Sequence, residues 1–263
     1  HGFREWYLVP MLAAIWSADP RRVFDFPAQH FLRFFDNHGL LDGFGKIQWR
    51  TILGGSREYV GRLCAPLGDG LRLRTPVERV QRDATGVTVQ AAHGEPERYD
   101  AVVFATHSDQ ALRILGDDAT DAEREVLGAI PYQRNEAVLH TDTRMLPRAH
   151  RARASWNYYV PREAGSQAVL TYNMNRLQRL DAPEPFLVTL NQTDAIAPET
   201  VFGRYTYEHP VFSAGAIAAQ QRHAEVSGHH ARTHFCGAHC GYGFHEDGVR
   251  SALSVARAFG LAL

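Results

Sequence analysis

At 263 residues and 44% hydrophobic, the chain is long and apolar enough to bury an ordinary globular core. Its 28 basic residues nearly cancel its 29 acidic ones, with no block of like charge, which argues against nucleic acid or an anionic membrane as the main partner. Three cysteines, Cys64, Cys236 and Cys240, make no disulfide framework and fit a reducing cytoplasm.

The longest apolar run, Trp6 to Trp16, is broken by Pro10 and too short to span a bilayer. Leu8, Leu12, Ile15 and Trp16 recur at helical spacing, followed by Phe31, Phe34 and Phe35, so the first forty-odd residues read as helical. The chain opens on His1 and in mid-helix style, and a missing beginning is the expected account. Asp36 to Gly45 is loop. In "WRTILGGSREYVGRLCAPLG" a short apolar strand, a Gly54–Gly55 turn and a helix capped by Ser56 are expected. Leu71 and Leu73, Val77 and Val80, then Val87 and Val89 alternate around an Ala84–Thr85–Gly86 turn, the pattern of a strand and hairpin.

"YDAVVFATHSDQAL" differs in kind. Ala101 to Ala105 is continuously apolar, as in a strand buried on both faces of a parallel sheet. It ends in Thr106, His107 and Ser108, at the carboxyl end where open α/β sheets hold ligands. His107 there reads either as a ligand contact or as a loop histidine with structural hydrogen bonds. From Glu136 to Phe212, segments rich in Tyr, Trp and Asn predict an antiparallel sheet. "SAGAIAAQQRHAEVSG" then returns as helix or loop. The last unit predicts a strand "THFCGA", a glycine loop and a helix from about Gly248. Val249, Ala252, Leu253, Ala256 and Phe259 would share its apolar face, and Gly260 suits its end.

Cys236, His239, Cys240 and His245 crowd this last loop and raise the question of a metal. The C-x3-C spacing is not that of a zinc knuckle, and no second cysteine pair exists. A cradle explains more: glycines let backbone approach a ligand, and the unpaired first amides of a helix favour an electron-rich group. Asp247 is expected to cap that helix.

The ordered motifs "FPAQHFLRFFDNHGLL", "WRTILGGSREYV", "TPVERV", "YDAVVFATHSDQAL", "ASWNYYVP" and "FCGAHCGYGFHEDGVRSALSVA" cover nearly all of the chain. In them the chain resembles the carboxyl-terminal part of the flavin-containing amine oxidases and their desaturase-like relatives, of the glutathione-reductase-type FAD superfamily. It looks most like the bacterial FAD-dependent oxidoreductases labelled predicted NAD/FAD-binding proteins. The resemblance implies a mixed α/β fold. An incomplete FAD-binding domain (45–115 and 228–263) would accompany an antiparallel substrate domain with helices (1–44 and 116–227).

By the same resemblance, Val77 meets the adenine through its backbone, and Gly237, Ala238, Gly243, Phe244, His245 and Glu246 meet the pyrophosphate, ribityl and flavin pyrimidine edge. Thr106 joins them at the strand end. Trp156, Tyr158, Tyr172 and Asn173 are candidates to line a pocket for a small-molecule substrate, a lipid-like one included; ordinary half-buried strand positions explain them equally well. Two departures stand out. No G-x-G-x-x-G turn is present, and the active-site lysine of the amine oxidases has no counterpart in the β-rich segment, Lys46 being the sole lysine. The expected activity is hydride transfer from a substrate C–H or C–N bond to FAD. A desaturase or isomerase acting on a lipid-like or isoprenoid chain is the alternative, and a metal-binding interaction domain is the alternative of another class.

Overall fold

The computed structural model describes residues 2–41, 50–160, 169–228 and 232–261; Lys46, His229 and His230 lie outside them. A π-turn at Arg4–Leu8 runs into α1 (Val9–Trp16), and α2 (Ala28–Asn37) and α3 (Arg57–Cys64) follow. Next come β1 (Val77–Asp83), β2 (Gly86–Ala91), β3 (Glu97–Tyr99), β4 (Val102–Phe104), α4 (Ser108–Leu115) and α5 (Asp121–Gly128). The middle of the chain forms β5 (Tyr132–His140), β6 (Trp156–Tyr159), β7 (Val169–Asn173), α6 (Met174–Gln178), β8 (Leu187–Leu190) and β9 (Val201–Pro210). It closes with α7 (Ala214–Gln221), α8 (His223–Val226), β10 (Thr233–Phe235) and α9 (His245–Ala258). The mixed α/β class expected from the sequence is what forms.

Two compact units emerge: His1–Leu71 with Gln133–His209, and Arg72–Tyr132 with Pro210–Leu263. Relative to the boundaries read from sequence, 45–71 falls in the first unit, while 116–132 and 210–227 fall in the second. The helices explain the second difference. Val126 and Leu127 of α5, Ala219 of α7 and Val226 of α8 are buried in one cluster with Phe104 and Phe235. An amphipathic helix belongs where its apolar face is covered, whatever its place in the chain.

The first unit holds a five-stranded sheet in the order β6-β7-β8-β5-β9. Strand alternation sorts its side chains. Ala137, Leu170 and Leu190 lie on one face and bury Ala14 of α1, with Trp156, Tyr158, Tyr172 and Val188 packed around them. The opposite face buries a polar chain: Thr171 Oγ1 lies 2.9 Å from Thr189 Oγ1, which lies 2.8 Å from His140 Nε2.

The second unit holds the β1-β2-β3 sheet and the pair β10-β4. The expected hairpin forms between β1 and β2, with Val80 opposite Val89 and Arg82 opposite Val87. Asp83 closes its turn by accepting from the amides of Thr85 (2.7 Å) and Gly86 (3.1 Å). Behind it, Arg82 reaches Glu123, Asp118 and Thr233 at once.

Three local expectations change. Ile52 and Leu53 form no strand, and both are exposed. Ser56 precedes α3 without a side-chain capping bond. In β4, Phe104 is buried but Val103 is 44% exposed, because neighbours on a strand face opposite ways and the buried cluster covers only the Phe104 side.

Candidate functional site

In the second unit β4 and β10 run parallel, with Thr233 opposite Val102 and Phe235 opposite Phe104. Both strands therefore end at one edge, leading into Thr106–His107 and into Cys236–Gly237. The Cys236 amide continues the ladder to the Phe104 carbonyl at 2.9 Å, and the Phe104 and Phe235 rings stack at 5.4 Å. The glycine loop and His107 thus lie at one sheet edge.

From Gly237 the chain makes a tight turn. Gly237 has φ 156° and ψ 165°, a region kept essentially by glycine. A Cβ there would stand 2.7 Å from the His239 ring and 3.6 Å from the Thr106 carbonyl oxygen. The Gly237 amide donates to Ser251 Oγ of α9 at 2.9 Å. Gln220 of α7 donates its side-chain amide to the carbonyls of His239 and Gly241, both at 2.7 Å, so the turn is held from outside. Gly243, at φ +92°, lets the chain pass Phe212, whose ring a Cβ would approach to 3.2 Å.

Helix α9 starts at His245, three residues earlier than the apolar pattern predicts. Asp247 still caps it, from inside the first turn, by accepting from the Phe244 amide at 3.0 Å. The amides of His245 and Glu246 then open the helix without intrahelical acceptors. Its buried side also differs from the expected one: Val255 is buried, whereas Val249 is 53% exposed. Docking through Gly248, Ser251 and Val255 sets that rotation, since a Cβ on Gly248 would touch the Ala238 amide nitrogen at 3.8 Å.

The chemistry of the crowded residues follows from burial. His239 is held low, to about 4, chiefly by burial and then by the neighbouring His223 and His107. Burial pushes the Cys236 thiol up and the Cys240 thiol up to about 12. Thiols so disfavoured as thiolates make poor nucleophiles. Among the described residues no three His, Cys, Asp or Glu side chains come together as a metal-binding set.

Gly237, Ala238, Gly243, Phe244, His245, Glu246 and Thr106 are thus gathered at one strand edge and one helix start. Glu246 turns its side chain to Arg250 at 3.2 Å, leaving its backbone for any ligand contact. Val77 opens β1, on the other sheet of the same unit, beside a register shift between Val77 and Arg79.

In the first unit, Trp156, Tyr158 and Tyr172 share one sheet face, and the Trp156 and Tyr158 rings meet edge-on at 6.1 Å. Asn173 follows Tyr172 on the strand and so faces the other way. Its Oδ1 accepts from the Arg176 amide at 3.2 Å and caps α6. Gln220, Ser251 and Tyr132 escaped the sequence reading. Gln220 and Ser251 carry no motif, and their roles exist only once α7 and α9 flank the turn.

The profile of the family described as flavin containing amine oxidoreductase matches residues 9–163. Cyclohexylamine oxidase from Brevibacterium oxydans IH-35A is similar in structure, with a TM-score of 0.62 at 15% identity, over 97% of this chain and 64% of that one. A CLA-producing fatty acid isomerase from P. acnes gives 0.59 at 15% identity, over 79% and 52%. Putrescine oxidase bound to putrescine gives 0.55 at 15% identity, over 80% and 54%. At such identity these likenesses speak to the fold, and the chain spans between 52% and 64% of the three structures. No curated protein matches the chain.

Proposed function

The chain belongs to the flavin-containing amine oxidoreductase family, and from that premise we propose that it forms part of an FAD-dependent oxidoreductase whose cofactor rests on the Gly237–Glu246 turn. One observation carries the reading: two parallel strands end together against a turn that only glycines can make and a helix start with open amides. Those features fit a flat, electron-rich ligand. A Cβ at Gly237 would collide with the His239 ring and one at Gly243 would press on Phe212, so the turn itself requires glycine, and the helix amino-terminus favours negative charge.

Bound FAD would supply the acceptor for a hydride leaving a substrate C–H or C–N bond. The protein's share is position and field. Gln220, Ser251 and Asp247 fix the turn, so the amides of His245 and Glu246 are already oriented before charge develops on the ligand. Val77 is assigned to the adenine through its backbone.

The substrate is assigned to the face bearing Trp156, Tyr158 and Tyr172. Its aromatic rings offer apolar stacking surface to a substrate. With Lys46 the sole lysine and none in the β-rich segment, that surface suits a second reading, a desaturase or isomerase acting on a lipid-like chain. No helix among the described residues is long and apolar enough to cross a membrane.

Titration of FAD into the chain, followed by flavin fluorescence, tests the reading. Saturable binding is expected, weak for want of a G-x-G-x-x-G turn. Gly243→Ala should weaken it roughly tenfold, because φ +92° and the Phe212 ring both resist a Cβ. Circular dichroism of the variant should stay native. No saturable binding by the unaltered chain would overturn the proposal.

A further inference from the structure

We propose that His107 is a cofactor-contact residue whose Nε2 donates a hydrogen bond to the diphosphate of the dinucleotide; the inference rests on the flavin reading above. His107 directly follows Thr106, whose carbonyl oxygen faces Gly237, so its ring stands at the ligand end of the parallel pair. Its environment is not that of a loop histidine held for structure. The ring is clamped flat on Tyr132, with centroids 4.4 Å apart and planes 15° apart. Tyr132 is itself pinned, its hydroxyl accepting from the Ser108 amide at 2.9 Å and lying 3.2 Å from Ser108 Oγ.

The two ring nitrogens differ. Nδ1 is buried and makes no hydrogen bond among the described residues; Asp109 Oδ1, at 3.9 Å, is beyond hydrogen-bond reach. The side chain is nevertheless 35% exposed, which leaves Nε2 as the nitrogen at the surface. The neighbouring His239 is 6% exposed and cannot serve the same purpose from solvent. A rigid imidazole N–H offers a donor suited to an oxyanion and little to a flat apolar ring. The diphosphate is the anionic group of oxidised FAD, and the resemblance brings it to the glycine motif that begins at Gly237, beside the His107 end of the parallel pair.

His107→Phe keeps the stack on Tyr132 and removes both nitrogens, while His107→Gln restores a side-chain donor. FAD, ADP and riboflavin are titrated at up to millimolar concentration into the full chain and both variants, with histidine ring protons followed by NMR. His107→Phe should raise the dissociation constants of FAD and ADP about tenfold, the worth of one such hydrogen bond, and leave riboflavin unchanged. His107→Gln should recover part of the loss. The ligand-free thermal midpoint of His107→Phe should match the unaltered chain, which separates this role from a structural one. Equal FAD and ADP affinities in the Phe variant would overturn the inference and leave the flavin reading standing. Riboflavin weakened as much as ADP would overturn it too, placing His107 at the isoalloxazine. If the unaltered chain binds no FAD, the flavin reading falls and takes this inference with it.

Discussion

Replacing Glu123 with alanine is expected to cost about 3–5 kcal/mol of stability in the second unit, the usual consequence of stranding a buried charge. Glu123 is 1% exposed. Its carboxylate receives both ends of the Arg82 guanidinium, at 2.5 and 2.9 Å, and the Thr120 amide at 2.8 Å. Burial pushes the Glu123 carboxyl up, yet Arg82 and Thr120 outweigh it and hold it below its ordinary range. Arg82 also reaches Asp118 Oδ2 at 2.7 Å, the Asp118 carbonyl at 2.5 Å and Thr233 Oγ1 at 3.2 Å. One guanidinium thus ties β1, the start of α5 and the first residue of β10, the strand that leads into the candidate site. Glu123→Ala takes two of the five hydrogen bonds from the buried Arg82 guanidinium and leaves only Asp118 to balance its charge. Arg82→Met combined with Glu123→Leu removes both charges and should cost much less than the single change. Urea unfolding followed by circular dichroism measures both. A loss below about 1 kcal/mol for Glu123→Ala would show that water solvates Arg82 in the folded state.

The same network shows what the sequence could and could not disclose. Thr120 and Glu123 stand three apart, the spacing of a capping box, and the helix they open is there. Nothing local links Glu123 to Arg82, 41 residues earlier, because that pair exists only after the hairpin folds over α5. The β1–β2 hairpin was legible because alternation of Val80, Val87 and Val89 needs no distant partner. The strand, glycine turn and helix of the candidate site were legible for the same reason. The rotation of α9 was not: Gly248 and Ser251 look like weak core positions, and only the Gly237 turn makes them the docked side. Tyr172 and Asn173 share pocket chemistry but, as neighbours on a strand, face opposite ways, so strand alternation alone allows only one of them on the aromatic face.

Stability should fall steadily as pH drops from 6.5 towards 4, before the carboxylates begin to protonate in earnest. Three histidines drive it. His140 is fully buried; its Nδ1 accepts from the Asp142 amide at 3.0 Å, so Nε2 carries the proton towards Thr189. Burial holds it below its ordinary value, against the pull of Asp142. Burial does the same to His223, and brings His239 down to about 4. A folded-state value below the ordinary 6.5 means that the unfolded chain binds the proton first. The stabilisation is therefore complete above pH 6.5 and disappears as pH falls through the window to the folded-state value. For His239 alone this amounts to about 3 kcal/mol by pH 4. Glu123 and Asp142 have lowered values, so their contribution is present above the ordinary carboxylate range and is lost only below it. They cannot account for a slope between pH 6.5 and 5. His239→Asn removes the titrating ring from the turn, and its urea midpoint should depend less steeply on pH than that of the unaltered chain over this interval. Parallel midpoint curves for the two proteins would show that His239 is already solvated or partnered in the folded state, and that its burial does not govern the acid sensitivity of the turn.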